Sequence, residues 1–305
     1  MPLGASIPSG LASPGPDPGD PTVPPLDLFL SAAVVLLPLA YLVAAAAYAR
    51  VFFAGDRRAE RLAPGLLLGA LALHLGYLAA LTVELRHFPA ATIAEGLSVV
   101  ALAVGLTYAL VEWRGRERST GFWIVSVIFF VQLLASVLRR PEAAHESEVL
   151  RSAVFAGHAF LALMAYAAFV MAAAYGFLFL ELYRELKSGA FSLFYGKLPP
   201  LEVLERMMAG ALHVGWIALT GAVGIGAFSA YQLYGARWAS DPIILLTLAT
   251  WALYGLALLL RRTQKWQGRQ TAVVSLAGLC AILVSLVVVN FVVGDFHGFP
   301  GASGS

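Results

Sequence analysis

Apolar residues fall into eight long runs separated by short polar breaks, at 26–53, 62–83, 92–111, 121–138, 152–181, 205–230, 242–260 and 271–293. Each run holds, or nearly holds, the roughly 20 residues a helix needs to cross the hydrocarbon core of a bilayer. None shows the in–out alternation of a lipid-facing strand. Backbone N–H and C=O groups in lipid have to be satisfied within their own segment, which leaves helices. The pattern predicts an all-α polytopic membrane protein with eight transmembrane helices, forming a single membrane domain over 26–299.

Composition agrees with the pattern. Hydrophobic residues make up 60% and charged residues 12% of the chain, against about 45–50% and about 25% in soluble domains. The mean hydropathy is +0.79. Such a chain has lipid as its solvent, which excludes a soluble enzyme, a nucleic-acid binder and a disordered scaffold. Residues 1–25 differ from the rest: they carry eight of the 16 prolines and no lysine or arginine. A Pro/Gly/Ser-rich segment buries too little to offset its ordering entropy, so it reads as a disordered tail. It lacks the basic start and apolar centre of a cleavable signal peptide. The lone cysteine, Cys280, reads as a small packed residue inside the last span.

The charges set the orientation. With the N-terminus outside, fifteen of the 20 lysines and arginines fall on the inner side, among them Arg50, Arg61, Arg118, Arg184, Lys187, Arg261 and Arg269. An inner excess of basic residues is what topology requires, so both termini are expected outside. The longest inner loop is 183–204, and an aromatic outer loop spans 228–242. Gly221-Ala-Val-Gly224-Ile-Gly226 resembles a glycine-rich phosphate loop, but it lies inside a span and follows no strand. It reads instead as small residues that let helices, or a flat ligand, come close.

Six histidines carry the candidate chemistry. His74 lies roughly 18 Å, and His213 roughly 12 Å, from the inner ends of the second and sixth spans. His158 sits near the outer end of the fifth span, and His297 follows the eighth. Imidazole inside a membrane is costly without a partner and marks a candidate site. Its ring nitrogen is also the commonest axial ligand of heme iron. Two histidine pairs at two depths suit an outer heme on His158 and His297 and a lower one on His74 and His213. Depth alone is equally compatible with a b-type cytochrome, a transporter or a scaffold.

Four stretches resemble a known family. They are His87-Phe-Pro-Ala-Ala-Thr-Ile-Ala-Glu95-Gly, Gly157-His158 through Tyr166, Leu198-Pro-Pro-Leu-Glu-Val-Leu-Glu205, and Val289-Asn290 through His297-Gly-Phe. From about residue 60 to 299 the chain resembles the CcsA-type cytochrome c assembly proteins, including their HemX-like branch. The resemblance implies a heme-handling protein of the bacterial inner (plasma) membrane. It implies that His158 and His297 ligate heme beside an outer, tryptophan-rich loop. Here that loop keeps one tryptophan and the Asp-Pro, in Tyr231-Gln-Leu-Tyr234-Gly-Ala-Arg237-Trp238-Ala-Ser-Asp241-Pro242, while Ile243-Ile244 replaces the family's Lys-Glu. Trp238 and Tyr231 offer flat faces to a porphyrin, Arg237 offers a partner for a propionate, and Asp241 is positioned to cap the next helix.

Three functions follow as expectations. The first is a protein of c-type cytochrome biogenesis that holds one or two non-covalent b hemes, acting as a heme-delivery or heme-lyase component. Its partners would be a second membrane assembly protein and an apocytochrome c. The second is a bis-histidine electron-transfer subunit working between quinol and an outer cytochrome. The third is a non-catalytic membrane regulator or scaffold.

Overall fold

A computed structural model describes residues 25–115, 118–139, 148–189, 193–235, 242–263, 266 and 268–292. Their elements are α1 (Pro25–Ala54), α2 (Arg57–Leu85), α3 (Ile93–Gly115), α4 (Gly121–Leu138), α5 (Glu148–Arg151), α6 (Ala153–Ser188), α7 (Leu201–Tyr234), α8 (Pro242–Thr263) and α9 (Gly268–Val292). No strand occurs among the described residues. Seven helices, α1 to α4 and α6 to α8, are long and apolar enough to cross a membrane. The eighth long helix, α9, has 25 residues. The all-helical, multi-pass architecture is the expected one.

Helix ends follow local chemistry. The Asp56 carboxylate accepts the backbone N–H groups of Arg58 and Ala59 at 2.8 and 3.3 Å and starts α2. Ser152 caps α6 by accepting from the Phe155 N–H at 3.1 Å. That helix ends on Gly189, whose φ of 68° is open to glycine without a Cβ penalty. Two ends lie beyond the expected limits. α6 runs on to Ser188 because the residues after 181 are strong helix formers, tied by a Glu181–Arg184 pair at 2.5 Å. α7 continues to Tyr234, so the first half of the segment expected as an aromatic loop is helical.

The helices pack as two groups. In the first, α1 lies against α2 and α4, and α3 against α4; in the second, α6 lies against α7 and α9, and α8 lies against α7 and α9. The groups join where α3 and α4 meet α6. A strap reinforces the joint at one end. The buried Glu185 carboxylate accepts the backbone N–H groups of Leu193, Phe194 and Tyr195 at 2.8 to 3.2 Å. The Phe194 ring then packs on Phe52 and Trp123 of the first group, and the Lys197 ammonium lies 5.4 Å from the Phe52 ring centre. This end also carries Arg50, Arg118, Arg184 and Arg261 and is the basic end of the bundle.

Cys280 is exposed on α9 rather than packed in the bundle. A thiol among apolar neighbours signals an apolar environment, and lipid supplies one as well as a core does.

Candidate functional site

From mid-span to the end opposite the basic end, α6 and α7 approach closely because α7 presents glycines to α6. A Cβ built on Gly215 would lie 2.6 Å from the Phe169 ring, and one on Gly226 would lie 2.7 Å from Cε1 of His158. The space a side chain at Gly226 would fill is taken by the His158 imidazole. That ring is half-buried. Its Nδ1 lies 2.9 Å from the Ala222 carbonyl, one turn before Gly226. A carbonyl only accepts, so Nδ1 carries the proton and donates. The proton position fixes the tautomer and leaves the Nε2 lone pair to act as acceptor or metal ligand. An oriented Nδ1–H donating to a backbone carbonyl is the usual outer support of a metal-ligating histidine. The residues present therefore fit an axial ligand of heme.

His74 is held in the opposite manner. It is fully buried on α2. The Ser98 hydroxyl donates to Gln132 Oε1 at 3.0 Å, so it accepts from His74 Nε2–H at 2.9 Å. His74 Nδ1 then accepts from the Tyr41 hydroxyl, also at 2.9 Å. Gln132 Nε2 passes the chain on to Ser136 at 3.4 Å. One directed network links α1, α2, α3 and α4, and both imidazole nitrogens are used within it.

The structure does not bring His213 to His74. His213 is exposed on α7, with Nδ1 donating to the Ala209 carbonyl of its own helix at 2.7 Å. Among the described residues α2 and α7 make no contact. Tyr231 is 61% exposed and Phe228 64% exposed on the last turns of α7. At 100° per residue they project away from the Ala222–Gly226 face that receives His158. His297, Arg237, Trp238 and Asp241 lie outside the described residues, as does His145.

Two features were not read from the sequence. The first is the acceptor for His158, the Ala222 carbonyl inside the Gly221–Gly226 run; the glycines were the available signal. The second is a buried carboxylate near the basic end. Glu112 is 5% exposed, accepts from the Tyr48 hydroxyl, and pairs with Arg118 at 3.2 Å. Arg118 also donates to the Glu60 carbonyl at 2.8 Å, so this cluster clamps the α3–α4 turn to α1 and α2. A glutamate immediately after an apolar run looks interfacial in sequence, and only the packing shows it buried.

The family model described as cytochrome c assembly protein matches residues 64–297. The chain belongs to the cytochrome c assembly protein family. It is similar to the cytochrome c biogenesis protein CcsA of Heterosigma akashiwo (strain NIES-293 / 8280G21-1), with 24% identity over 249 residues, 70% of this chain and 77% of the relative. It is 27% identical over 242 residues to CcsA of Parasynechococcus marenigrum (strain WH8102), covering 71% of this chain and 79% of that protein. CcsA of Mesostigma viride is 23% identical over 255 residues, with 74% and 84% covered. The match includes all of α3 to α9, and hence His158 with its α7 cradle.

Proposed function

We propose that this protein binds heme at the outer membrane face and holds it for c-type cytochrome assembly. The orientation follows the charge: the basic end is cytoplasmic, and the His158 end faces outward. The observation that carries the reading is the His158 Nδ1–H donating to the Ala222 carbonyl over the Gly226 gap, which leaves Nε2 as a lone-pair donor. His158 would supply one imidazole to hold the heme iron, and His297, in the C-terminal segment that follows α9, would supply a second. Trp238, Tyr231, Arg237 and Asp241 belong to the segment expected to border the porphyrin. A bound heme b would supply the vinyl groups that become covalently attached in a c-type cytochrome. This chain's own residues fix the tautomer of the ligand and exclude side chains from the space beside it. The implied partners are a second membrane assembly protein and an apocytochrome c, and the implied location is the inner (plasma) membrane of a bacterium.

A two-heme electron relay finds no support in the geometry, because His74 has both nitrogens engaged and His213 stands apart from it. The test is spectroscopic. The protein is purified from heme-replete membranes, and its absorption is compared with that of His158→Ala, His297→Ala and the double variant. The expected result is a Soret band that weakens in each single variant and disappears in the double one. A band that survives the double substitution would overturn the reading.

A further inference from the structure

At the basic end, α6 and α9 cross and then part. The crossing is tight: a Cβ on Gly176 would lie 3.2 Å from the Ala272 carbonyl oxygen. Beyond it α6 runs on for another twelve residues, to Ser188, whereas α9 begins four residues before Ala272, at Gly268. At 1.5 Å per residue α6 therefore overhangs the start of α9 by roughly 12 Å. The notch beneath the overhang is a pocket of about 480 Å³ lined by Leu180, Tyr183, Arg184, Lys187, Ser188 and Arg269.

The chemistry of the notch is one-sided. Three of its six lining residues are cations. Arg184 is paired with Glu181 at 2.5 Å. Glu205, the nearby carboxylate on α7, is paired with Arg261 at 2.8 Å. No ion pair links Lys187 or Arg269 to another described residue. Arg269 stands in the first turn of α9. The other side of the notch is apolar. Tyr183 stacks on Phe179 with ring centres 6.2 Å apart, and Leu180 lies one turn nearer the membrane centre. Along α9, Val273, Ala277 and Cys280 continue the stripe from Arg269 and are exposed. A site cationic at its mouth and continuous with a lipid-facing apolar stripe suits a ligand with an anionic head and a hydrocarbon tail.

We infer that the notch between α6 and α9 is a binding site for an anionic phospholipid of the leaflet at the basic end. The phosphodiester sits among Arg184, Lys187 and Arg269, and an acyl chain runs along the Val273–Cys280 stripe of α9. The lipid fills the gap left where α6 outruns α9. This site lies at the opposite end of α6 from His158 and does not depend on the heme reading.

The test uses the full chain in nanodiscs made of phosphatidylcholine with a minor fraction of phosphatidylglycerol. The protein is released from these discs, and the co-purified lipid is quantified by native mass spectrometry. The expected result is retention of phosphatidylglycerol over phosphatidylcholine by tenfold or more. In the triple variant Arg184→Gln, Lys187→Gln, Arg269→Gln that preference drops below twofold. The conservative Arg184→Lys, Arg269→Lys variant keeps most of it, which separates lost charge from lost folding. Each of these outcomes overturns the proposal: equal retention of the two lipids by the wild type, undiminished retention by the triple variant, or displacement of the lipid by millimolar inorganic phosphate. The last would identify a free phosphate, and not a lipid, as the ligand. Competition by heme at equimolar concentration would likewise reassign the notch to a porphyrin.

Discussion

His74 and His158 are the same side chain inside the same bundle, and their surroundings give them opposite capacities. In the α1–α4 group, His74 meets a hydroxyl at each nitrogen, and a glutamine and a serine extend the network. In the α6–α9 group, His158 meets one carbonyl and a glycine. A ring with two partners is spent on holding helices together. A ring with one partner is oriented and still has a lone pair to give. Intramembrane histidines are functional candidates by default, and the count of engaged nitrogens separates His74 from His158, while the partner's helix separates His158, tied across to α7, from His213, tied to its own helix.

Substitution in the two places should separate the two roles, and the largest effect is expected at His158. Removing an outer partner of a metal-bound histidine lowers affinity about 10- to 100-fold, so losing the histidine itself should exceed that range. Heme titration of His158→Ala checks this, with His74→Ala as the control that stays within about twofold of wild type. Equal losses in the two variants would sink the comparison. Next comes Gly226→Ala. Its methyl group would land on the imidazole and push Nδ1 from the Ala222 carbonyl, with an expected loss of about 10- to 100-fold in heme affinity. The same substitution at Gly210, where a Cβ meets nothing within 4 Å, should be silent in the titration. A third effect belongs to the fastener alone. His74→Ala leaves the Tyr41 and Ser98 hydroxyls short of a partner, each worth about 1 kcal/mol in a membrane bundle. A loss of about 2 kcal/mol is expected in reversible unfolding in mixed micelles. Tyr41→Phe should cost about half as much, and neither should move the Soret maximum of heme-loaded protein.

The sequence made the helices legible and the roles of their faces much less so. Runs of about 20 apolar residues declare themselves because lipid demands them, and all eight expected runs coincide with long helices. Their ends were harder to read, since hydropathy stops where lipid stops and a helix need not. The residues 182–188 of α6 and 231–234 of α7 are mostly polar or aromatic, with Leu182, Leu186 and Leu233 among them, and still helical. The depth of a histidine could be counted along its run, but its direction could not. In water, an apolar stripe marks the buried face of a helix. In lipid, both faces are apolar, so nothing in the order of residues distinguished buried His74 from exposed His213 or placed Cys280 outward. The partners of His74 lie 24 to 33 positions away on other helices. Only Gly221, Gly224 and Gly226, three small residues in one span, hinted at where a ring would be received.

The smallest effect concerns a group outside the membrane and tests whether the first helix group also depends on its caps. Asp56 accepts the N–H groups of Arg58 and Ala59 and lies 2.5 Å from the Arg50 guanidinium. The two amide donors, followed by the nearby cation, hold its carboxyl below the usual carboxylate value. A carboxyl that is more acidic when folded binds fewer protons in the folded state. Its contribution is therefore complete above the unfolded value of about 3.9 and fades as pH falls through the lower folded value. Asp56 is partly exposed and its Arg50 partner is exposed, so the contribution is small and salt-sensitive. Thermal unfolding in detergent checks it by comparing the wild type with Asp56→Asn, which keeps a capping oxygen and loses the charge. The wild type should melt higher at pH 6, the gap should narrow from about pH 4 downward, and 1 M salt should shrink it at every pH. A gap that stays constant from pH 6 to pH 3 would mean that the carboxylate charge contributes nothing at the α1–α2 turn. That result would leave the Tyr41–His74–Ser98–Gln132 network and the Tyr48–Glu112–Arg118–Glu60 cluster as the polar contacts that join α1 to α2.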